Sequence, residues 1–383
     1  MVKAFSILLL SVACAVASAA SIKAPLHQRG KPTVKEIVHA DNHRWAKLNS
    51  HSKVIPAINA DYSYYIEVDV GHPAQKTELL FDTGSSVLWV ANTQFDASKS
   101  TTAKDLHFAN LLGYGSGNVT VEFYKDNINI GGYKVRQEFG VADDTSAIGV
   151  EGIIGFGPID LAEVENNKHQ TYNVPTPMDN LYSSHQISTE VVGVDFKPIY
   201  NGAQQVANGE IDIGGIDHSK YKGKLNYVPI TKTSPAKYYW GVDITRISFG
   251  NHVATTGGAG IVDTGTTLIL LQQNILSNVF SEVPGAAFDN NSGLYAIPHG
   301  QLKKLKDITF TIGGKPFTLS PQQYLVPKNQ YTNFGLSGDL HYTYFSILDF
   351  FPGLDAIIGQ KFLENFYSVF DTTNNRVGLA LRK

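Results

Sequence analysis

The tripeptide Asp-Thr-Gly occurs twice in this chain, about half a chain apart and in matching surroundings. Asp82-Thr83-Gly84 lies in LLFDTGSSVLWV, and Asp263-Thr264-Gly265 lies in AGIVDTGTTLILL. Each time an apolar run leads in, hydroxyl residues follow, and a second apolar run leads out. One copy alone reads as an ordinary Asx-type turn, in which the side chain bonds nearby backbone. Two copies in matching contexts predict two similar halves, each presenting one carboxylate. The parallel continues downstream: Gly152-Ile153-Ile154-Gly155 follows the first copy and Ala356-Ile357-Ile358-Gly359 the second. A weak duplication of this kind favours a two-lobed protein over a repeat array.

The segments between these motifs read as short strands and turns. Tyr64 to Val70 alternates in the period-two pattern of a half-buried strand and ends at Gly71-His72-Pro73. Leu79 to Phe81 and Val87 to Val90 flank the first Asp-Thr-Gly as short apolar strands. Asn127 to Val135 and Ile308 to Phe317 each carry a Gly-Gly pair between apolar runs, a hairpin signal. Helical stretches are few: near 177–184, 273–283 and 361–365. The fold class expected is therefore mainly β and bilobal, and 383 residues suffice for two such lobes. The lobes are placed at 54–230 and 231–383, with the join near 228–234, where the chain turns polar and Pro-flanked.

The first 53 residues differ in composition. Lys3, an apolar run from Ala4 to Val16 and the small-residue site Ala17-Ser18-Ala19 read as a signal peptide over 1–19. The run is too short to span a membrane as an anchor. The only cysteine, Cys14, falls inside it. The mature chain is then Cys-free, which excludes disulfides, thiolate catalysis and Cys-based metal sites. From Ser21 to Lys53 seven Lys/Arg face two acidic residues, a net of +5, whereas Val54 to Lys383 holds 23 basic and 32 acidic residues, a net of −9. A basic run is often a solvated tail. Next to an acidic body, it reads more sharply as a prosegment over 20–53, with the mature N-terminus near Val54. No basic patch remains beyond it, so nucleic-acid binding is not expected.

Two carboxyls on one cleft supply acid–base chemistry. Held close together they cannot both ionise cheaply, so they share a proton and one is left ionised to activate water. Other chemistries lack their motifs. Gly313-Gly314-Lys315 is followed by Pro316 and is no phosphate loop; no His-Glu-x-x-His and no Gly-x-Ser-x-Gly occurs. No metal or organic cofactor is implied, since water is the nucleophile. Gly113-Tyr114-Gly115-Ser116-Gly117 reads as a hairpin able to close over a cleft, or as an ordinary hairpin tip.

Together these residues resemble the pepsin-like aspartic proteases, and within them the polyporopepsin-type proteases secreted by basidiomycete fungi. The resemblance runs from about Ile55 to Ala380. It is carried by GVEGIIGFGPIDL, LNYVPITKTSPAKYYWG, AGIVDTGTTL and FLENFYSVFDTTNNRVGLA, and the absence of mature cysteine fits the same subgroup. Aspartic proteases are the type case of the shared-proton carboxyl pair. The resemblance implies a secreted endopeptidase, made as a zymogen and working at acid pH on polypeptides cut between bulky apolar residues. It implies Asp82 and Asp263 as the catalytic pair, Thr83 and Thr264 bracing the two loops, Gly84 and Gly265 allowing close approach, and Ser85 and Thr266 bonding the carboxyls. Tyr114 would be the flap tyrosine with Trp89 as its hydrogen-bond partner. Gly115, Ser116, Gly117, Gly265 and Thr267 would meet the substrate backbone, and Ile153 would help line the pocket before the cut. A monomer suffices, because both aspartates lie on one chain. The prosegment, with Ile22-Lys23-Ala24-Pro25-Leu26 near its start, would act as inhibitor, and Lys47 is the candidate to meet the aspartates. One departure is Asn118-Val119-Thr120-Val121 after the flap tip, where relatives more often have a small Ser-Gly-type continuation. Asn118 and Asn290 both start glycosylation sequons. A vacuolar address is the alternative to secretion.

Overall fold

Alternating burial builds the strands that matter here. In Tyr64–Val70, Tyr64, Ile66, Val68 and Val70 are buried while the intervening residues face outward, as a pleat with one core face requires. The computed structural model describes residues 54–60, 62–114, 117–200, 203, 205–348 and 352–383. The signal peptide and prosegment expected at 1–53, and flap residues Gly115 and Ser116, lie outside the described residues. The protein is mainly β; among the described residues it is built on a thirteen-stranded and an eight-stranded sheet with two small accessory sheets.

Both Gly-Gly hairpins form as expected. Ile130 pairs with Tyr133 across Gly131-Gly132, and Ile312 with Lys315 across Gly313-Gly314. All four glycines have positive φ, between 57° and 88°, which two-residue hairpins of this twist require and which side chains resist. The first helix, Pro177–Ser183, starts on a capping box between Thr176 and Asp179 with Pro at its first position. The second ends at Val279 rather than running to 283. Pro284 keeps residue 283 out of the helical region, and the chain leaves the helix at Phe280 through a turn in which Val283 N bonds Phe280 O. A short helix not expected from the sequence, Pro321–Tyr324, comes next, and the stretch expected at 361–365 is the helix Gln360–Leu363.

The same weave occurs twice. In the first half, Gln75–Asp82 runs parallel to Gly152–Gly155, which runs antiparallel to Trp89–Ala91, which in turn runs parallel to Tyr133–Ala142. In the second half, Ala259–Val262, Ala356–Ile358, Ile269–Leu271 and Phe345–Ile347 repeat those pairings in that order. The two lobes are thus related in topology as well as in motif. Strands Phe366–Asp371 and Arg376–Arg382 insert between Val191–Asp195 and Tyr221–Pro229 in the larger sheet. The end of the chain therefore closes on the first half through main-chain hydrogen bonds. One large core cluster includes residues from both halves, among them Phe81, Ile154, Val262 and Ile358 directly behind the two Asp-Thr-Gly loops. Fully burying each such side chain contributes about 1.5–3 kcal/mol, so the loops rest on stiff ground.

Candidate active site

Each aspartate is delivered at the end of a strand and held by the strand beside it. Asp82 ends Gln75–Asp82, and its carbonyl accepts from Phe156 N at 2.7 Å. Asp263 follows Ala259–Val262, and its N–H donates to Ile358 O at 3.0 Å. The glycines that end the downstream apolar pairs permit this. A Cβ on Gly155 would stand 2.3 Å from Ser85 O, and one on Gly359 would stand 2.1 Å from Leu268 O. Only a residue without a side chain lets those loops fold so close.

The two loops then grip one another. Thr83 N donates to Thr264 Oγ1 and Thr264 N to Thr83 Oγ1, both at 2.9 Å. Thr264 Oγ1 donates onward to Phe81 O at 3.1 Å. Within each loop the aspartate accepts from the second residue on: Gly84 N to Asp82 Oδ1 at 2.8 Å and Gly265 N to Asp263 Oδ1 at 2.9 Å. The Asx-type turn is real in both copies, and it serves to aim the carboxylate. The carboxylates also cross over. A Cβ on Gly84 would lie 2.5 Å from Asp263 Oδ1, and one on Gly265 would lie 2.1 Å from Asp82 Oδ1. Each acid therefore sits in the space that the opposite loop's glycine leaves open. Gly265→Ala is expected to displace Asp82 and lower kcat/KM by about 10²-fold, the scale of an ångström-sized misplacement; steady-state kinetics on the folded variant measures it.

Both aspartates are fully buried. Burial, and next the neighbouring Asp82 charge, hold the Asp263 carboxyl well above the usual carboxylate range, outweighing donation from Thr266 and Gly265. The surroundings of the two acids differ. Thr266 Oγ1 donates to Asp263 Oδ2, whereas Ser85 Oγ, expected to do the same for Asp82, makes no hydrogen bond among the described residues, and neither does Asp82 Oδ2.

The flap is the hairpin of Lys104–Gly113 and Asn118–Ile130, closed by Tyr114 N to Gly117 O at 2.8 Å and Gly117 N to Tyr114 O at 3.3 Å. Tyr114 and Trp89 meet as rings, with centroids 6.2 Å apart. The hydrogen bond expected from Trp89 to Tyr114 is not made here, and the buried indole Nε1 finds no acceptor among the described residues. Ile153 has no exposed surface and packs with Trp89, Val119 and Val121. It therefore shapes the cleft from behind rather than facing it. Asn118 and Thr120 point outward while Val119 and Val121 point in, so this sequon lies on the outer face of the flap. Asn290 is exposed in the turn closed by Gly293 N to Asp289 O, and Ser292 Oγ accepts from Leu294 N.

Three features near the site carried no signal in the sequence. Thr267 Oγ1, expected to meet substrate, donates to Tyr62 O across the lobes. Tyr239 adjoins Asp263, whose charge adds to burial in raising the phenol's pKa. Gln360 N and Lys361 N donate to Thr266 O and Thr267 O at 2.7 and 2.9 Å. The last has a counterpart in the first half, where Gly157 N bonds Ser85 O at 2.9 Å.

A bilobal β fold that presses two Asp-Thr-Gly loops together defines an aspartic protease. Residues 63–382 match the profile of the eukaryotic aspartyl protease family, and the chain belongs to that family. It is an aspartic endopeptidase of the pepsin-like kind. It is 39% identical over 331 residues to polyporopepsin of Irpex lacteus, covering 85% of this chain and 96% of that protein. It is 32% identical to rhizopuspepsin of Rhizopus chinensis, covering 84% and 78%. The solved aspartic proteinase from Irpex lacteus superposes with a TM-score of 0.81 at 38% identity, covering 87% of this chain and 98% of that one. Among the described residues no helix is long and apolar enough to cross a membrane.

Proposed function

We propose that this chain is a secreted endopeptidase that works at acid pH through Asp82 and Asp263. In this reading 1–19 is a signal peptide, 20–53 an inhibitory basic prosegment, and 54–230 and 231–383 the two lobes. The observation that carries the dyad is the crossed packing, in which each carboxylate oxygen occupies the space beside the opposite glycine. Asp82 Oδ2, uncommitted among the described residues, accepts a proton from the attacking water. Asp263, whose buried carboxyl resists ionisation, keeps its proton and delivers it to the carbonyl oxygen of the scissile peptide. Water oxygen bonds to the carbonyl carbon to give a gem-diol; its collapse breaks the C–N bond, the departing amine takes up the proton from Asp82, and one hydroxyl proton returns to Asp263, leaving a carboxylic acid and restoring both aspartates. The pair titrates as a unit, so its apparent pKa values belong to both acids.

Around the pair, Thr83 and Thr264 fix the loops, Thr266 orients Asp263, and Tyr114 with residues 115–117 closes over the substrate. Gly265 meets its backbone from the other lobe, while the Thr267 hydroxyl is committed to Tyr62 O. The Tyr114 ring, with Trp89 and Ile153 buried behind it, supports a preference for bulky apolar residues at the cut. Glycans at Asn118 and Asn290 would lie on outer surfaces. At neutral pH the +5 prosegment holds to the −9 body; acid protonates the body's carboxylates and releases it.

The test is proteolysis of an acid-unfolded protein between pH 2 and 7, with and without pepstatin, using material harvested from the culture medium. Pepstatin-sensitive cleavage at the acid end is expected, along with shortening of the precursor near residue 54 on acidification. Activity confined to a cell-internal fraction moves the address to the vacuole. No cleavage by processed material sinks the reading.

A further inference from the structure

Beneath the second Asp-Thr-Gly loop lies a buried ion pair that the mechanism does not use. Lys361 and Glu364, in and just after the helix Gln360–Leu363, are 1% and 3% exposed. Lys361 Nζ lies 3.0 Å from Glu364 Oε1. The same oxygen accepts from Gln360 Nε2 at 3.2 Å, and the Tyr64 hydroxyl, whose single proton is shared with a second acceptor, lies 3.3 Å from it. Tyr64 belongs to the other half of the chain, where its ring stacks on Phe196 with centroids 3.5 Å apart and its hydroxyl also reaches Lys197 O at 2.8 Å. The main chain of this cluster holds the catalytic loop, since Gln360 N and Lys361 N donate to Thr266 O and Thr267 O. Thr266 in turn donates to Asp263.

The matching place under the first loop is built differently. There Phe156 N and Gly157 N bond Asp82 O and Ser85 O, and the side chain beneath is Phe156, packed on Phe81 at 4.7 Å between centroids. Two loops of one design thus rest on an aromatic contact on one side and an ion pair on the other. A buried ion pair is a poor source of stability, because desolvation offsets the attraction. Its best-supported use is to specify one geometry among several. Apolar contacts tolerate sliding, whereas an ammonium and a carboxylate removed from water do not.

We propose that Lys361 and Glu364 are positioning residues for Asp263. They lock the Thr266–Thr267 main chain to the strand Tyr64–Val70 of the other half, and so fix the angle at which Asp263 faces Asp82. They touch neither substrate nor the reacting atoms. The inference rests on the dyad assignment of the preceding section.

The test uses the mature enzyme carrying Lys361→Met, Glu364→Gln, the charge-swapped double variant Lys361→Glu/Glu364→Lys, or Tyr64→Phe. Pepstatin titration counts intact sites, so kcat and KM are expressed per site and misfolded protein drops out. Each single change at 361 or 364 is expected to lower kcat per site about tenfold or more with KM within about twofold, because binding survives while the reacting geometry does not. Glu364→Gln should be the worse, since it leaves the Lys361 ammonium without this carboxylate. The swapped double should recover part of the loss. Should the buried changes prevent folding, Tyr64→Phe removes only the hydroxyl and keeps the ring stack; a fall of about threefold in kcat per site at little cost in Tm supports the proposal. Per-site kcat within twofold of wild type in every variant that folds overturns it, even where Tm falls. A wild-type enzyme without pepstatin-sensitive activity would instead overturn the dyad reading itself.

Discussion

Asp82→Asn is expected to lower kcat/KM by about 10⁴-fold, the upper end of what one general acid–base group contributes, while leaving the fold in place. The fold survives because an amide oxygen can still accept from Gly84 N, the bond that shapes the loop. The reaction stops because an amide cannot take a proton from water. Asp263→Asn should cost as much activity, yet its effect on stability is opposite to that of most changes to a buried polar residue. The Asp263 carboxyl is held protonated by burial and the Asp82 charge, and asparagine resembles that neutral form. The folded wild type is penalised as pH rises and this proton is lost, whereas the variant is not. Asp263→Asn should therefore unfold at a higher temperature than wild type near pH 7, with no gain near pH 3. In the proposed zymogen scheme neither variant processes itself, so residues 20–53 are to be removed by a protease of a pepstatin-insensitive class. Asp82→Asn retaining more than about 1% of activity, after contaminating protease is excluded by pepstatin, would contradict the assigned chemistry.

Much of this site was legible because its signals are local. The Asx turn at each Asp-Thr-Gly, the Gly-Gly hairpins and the Thr176–Pro177 helix start are set by residues two to four apart, and their side chains act on their own backbone. The twofold weave was legible only as a repeated phrase. Gly155 and Gly359 made sense once Ser85 O and Leu268 O were found where their Cβ atoms would stand. What stayed hidden is non-local. Thr267 reaches Tyr62 across 205 positions, and Tyr64 reaches Glu364 across 300; no periodicity or spacing rule spans such gaps. Ile153 has the same limit. An apolar residue at a strand end reads alike whether it faces the cleft or, as here, sits wholly behind Trp89. The insertion of Phe366–Asp371 beside Val191–Asp195 is a further case, because a strand's own alternation does not name its neighbour.

Stability should be greatest in acid and fall as pH rises past neutrality, the reverse of ordinary acid denaturation. Five carboxyls have pKa values raised above those of the unfolded chain. Asp263, Asp195, Asp212 and Asp179 are raised chiefly by burial, and Glu190 by burial and then by the Asp179 charge. The folded state therefore binds more protons than the unfolded one. That stabilisation is complete below the ordinary carboxyl values of 3.8 and 4.5 and is lost as pH climbs through the raised folded values. Two sets of groups oppose it. Asp96, Asp144, Asp217 and Glu282, pulled down mainly by hydrogen bonds to neighbouring Ser or Lys side chains, are partly or fully exposed, where such interactions are screened and weak. Glu210 is drawn down by Lys220, and His341 by burial, then Lys328 and His299, but both are partly exposed. The buried Asp263, Asp195 and Asp212 dominate, because each pK unit of displacement is worth about 1.4 kcal/mol, against a total stability of about 5–15 kcal/mol for an ordinary domain; Asp179 and Glu190 are partly exposed and add less. Urea midpoints measured between pH 3 and 8 on prosegment-free enzyme, with pepstatin present to suppress autolysis at every pH, should decline across the upper half of that range. Asp212→Asn should flatten the decline, because its side-chain oxygen can still accept from the Tyr367 hydroxyl, 2.7 Å away in the wild type, while no charge develops. A midpoint that rises toward pH 8 would mean that these carboxylates ionise freely inside the folded protein, and it would remove the physical basis for a protonated Asp263 as well.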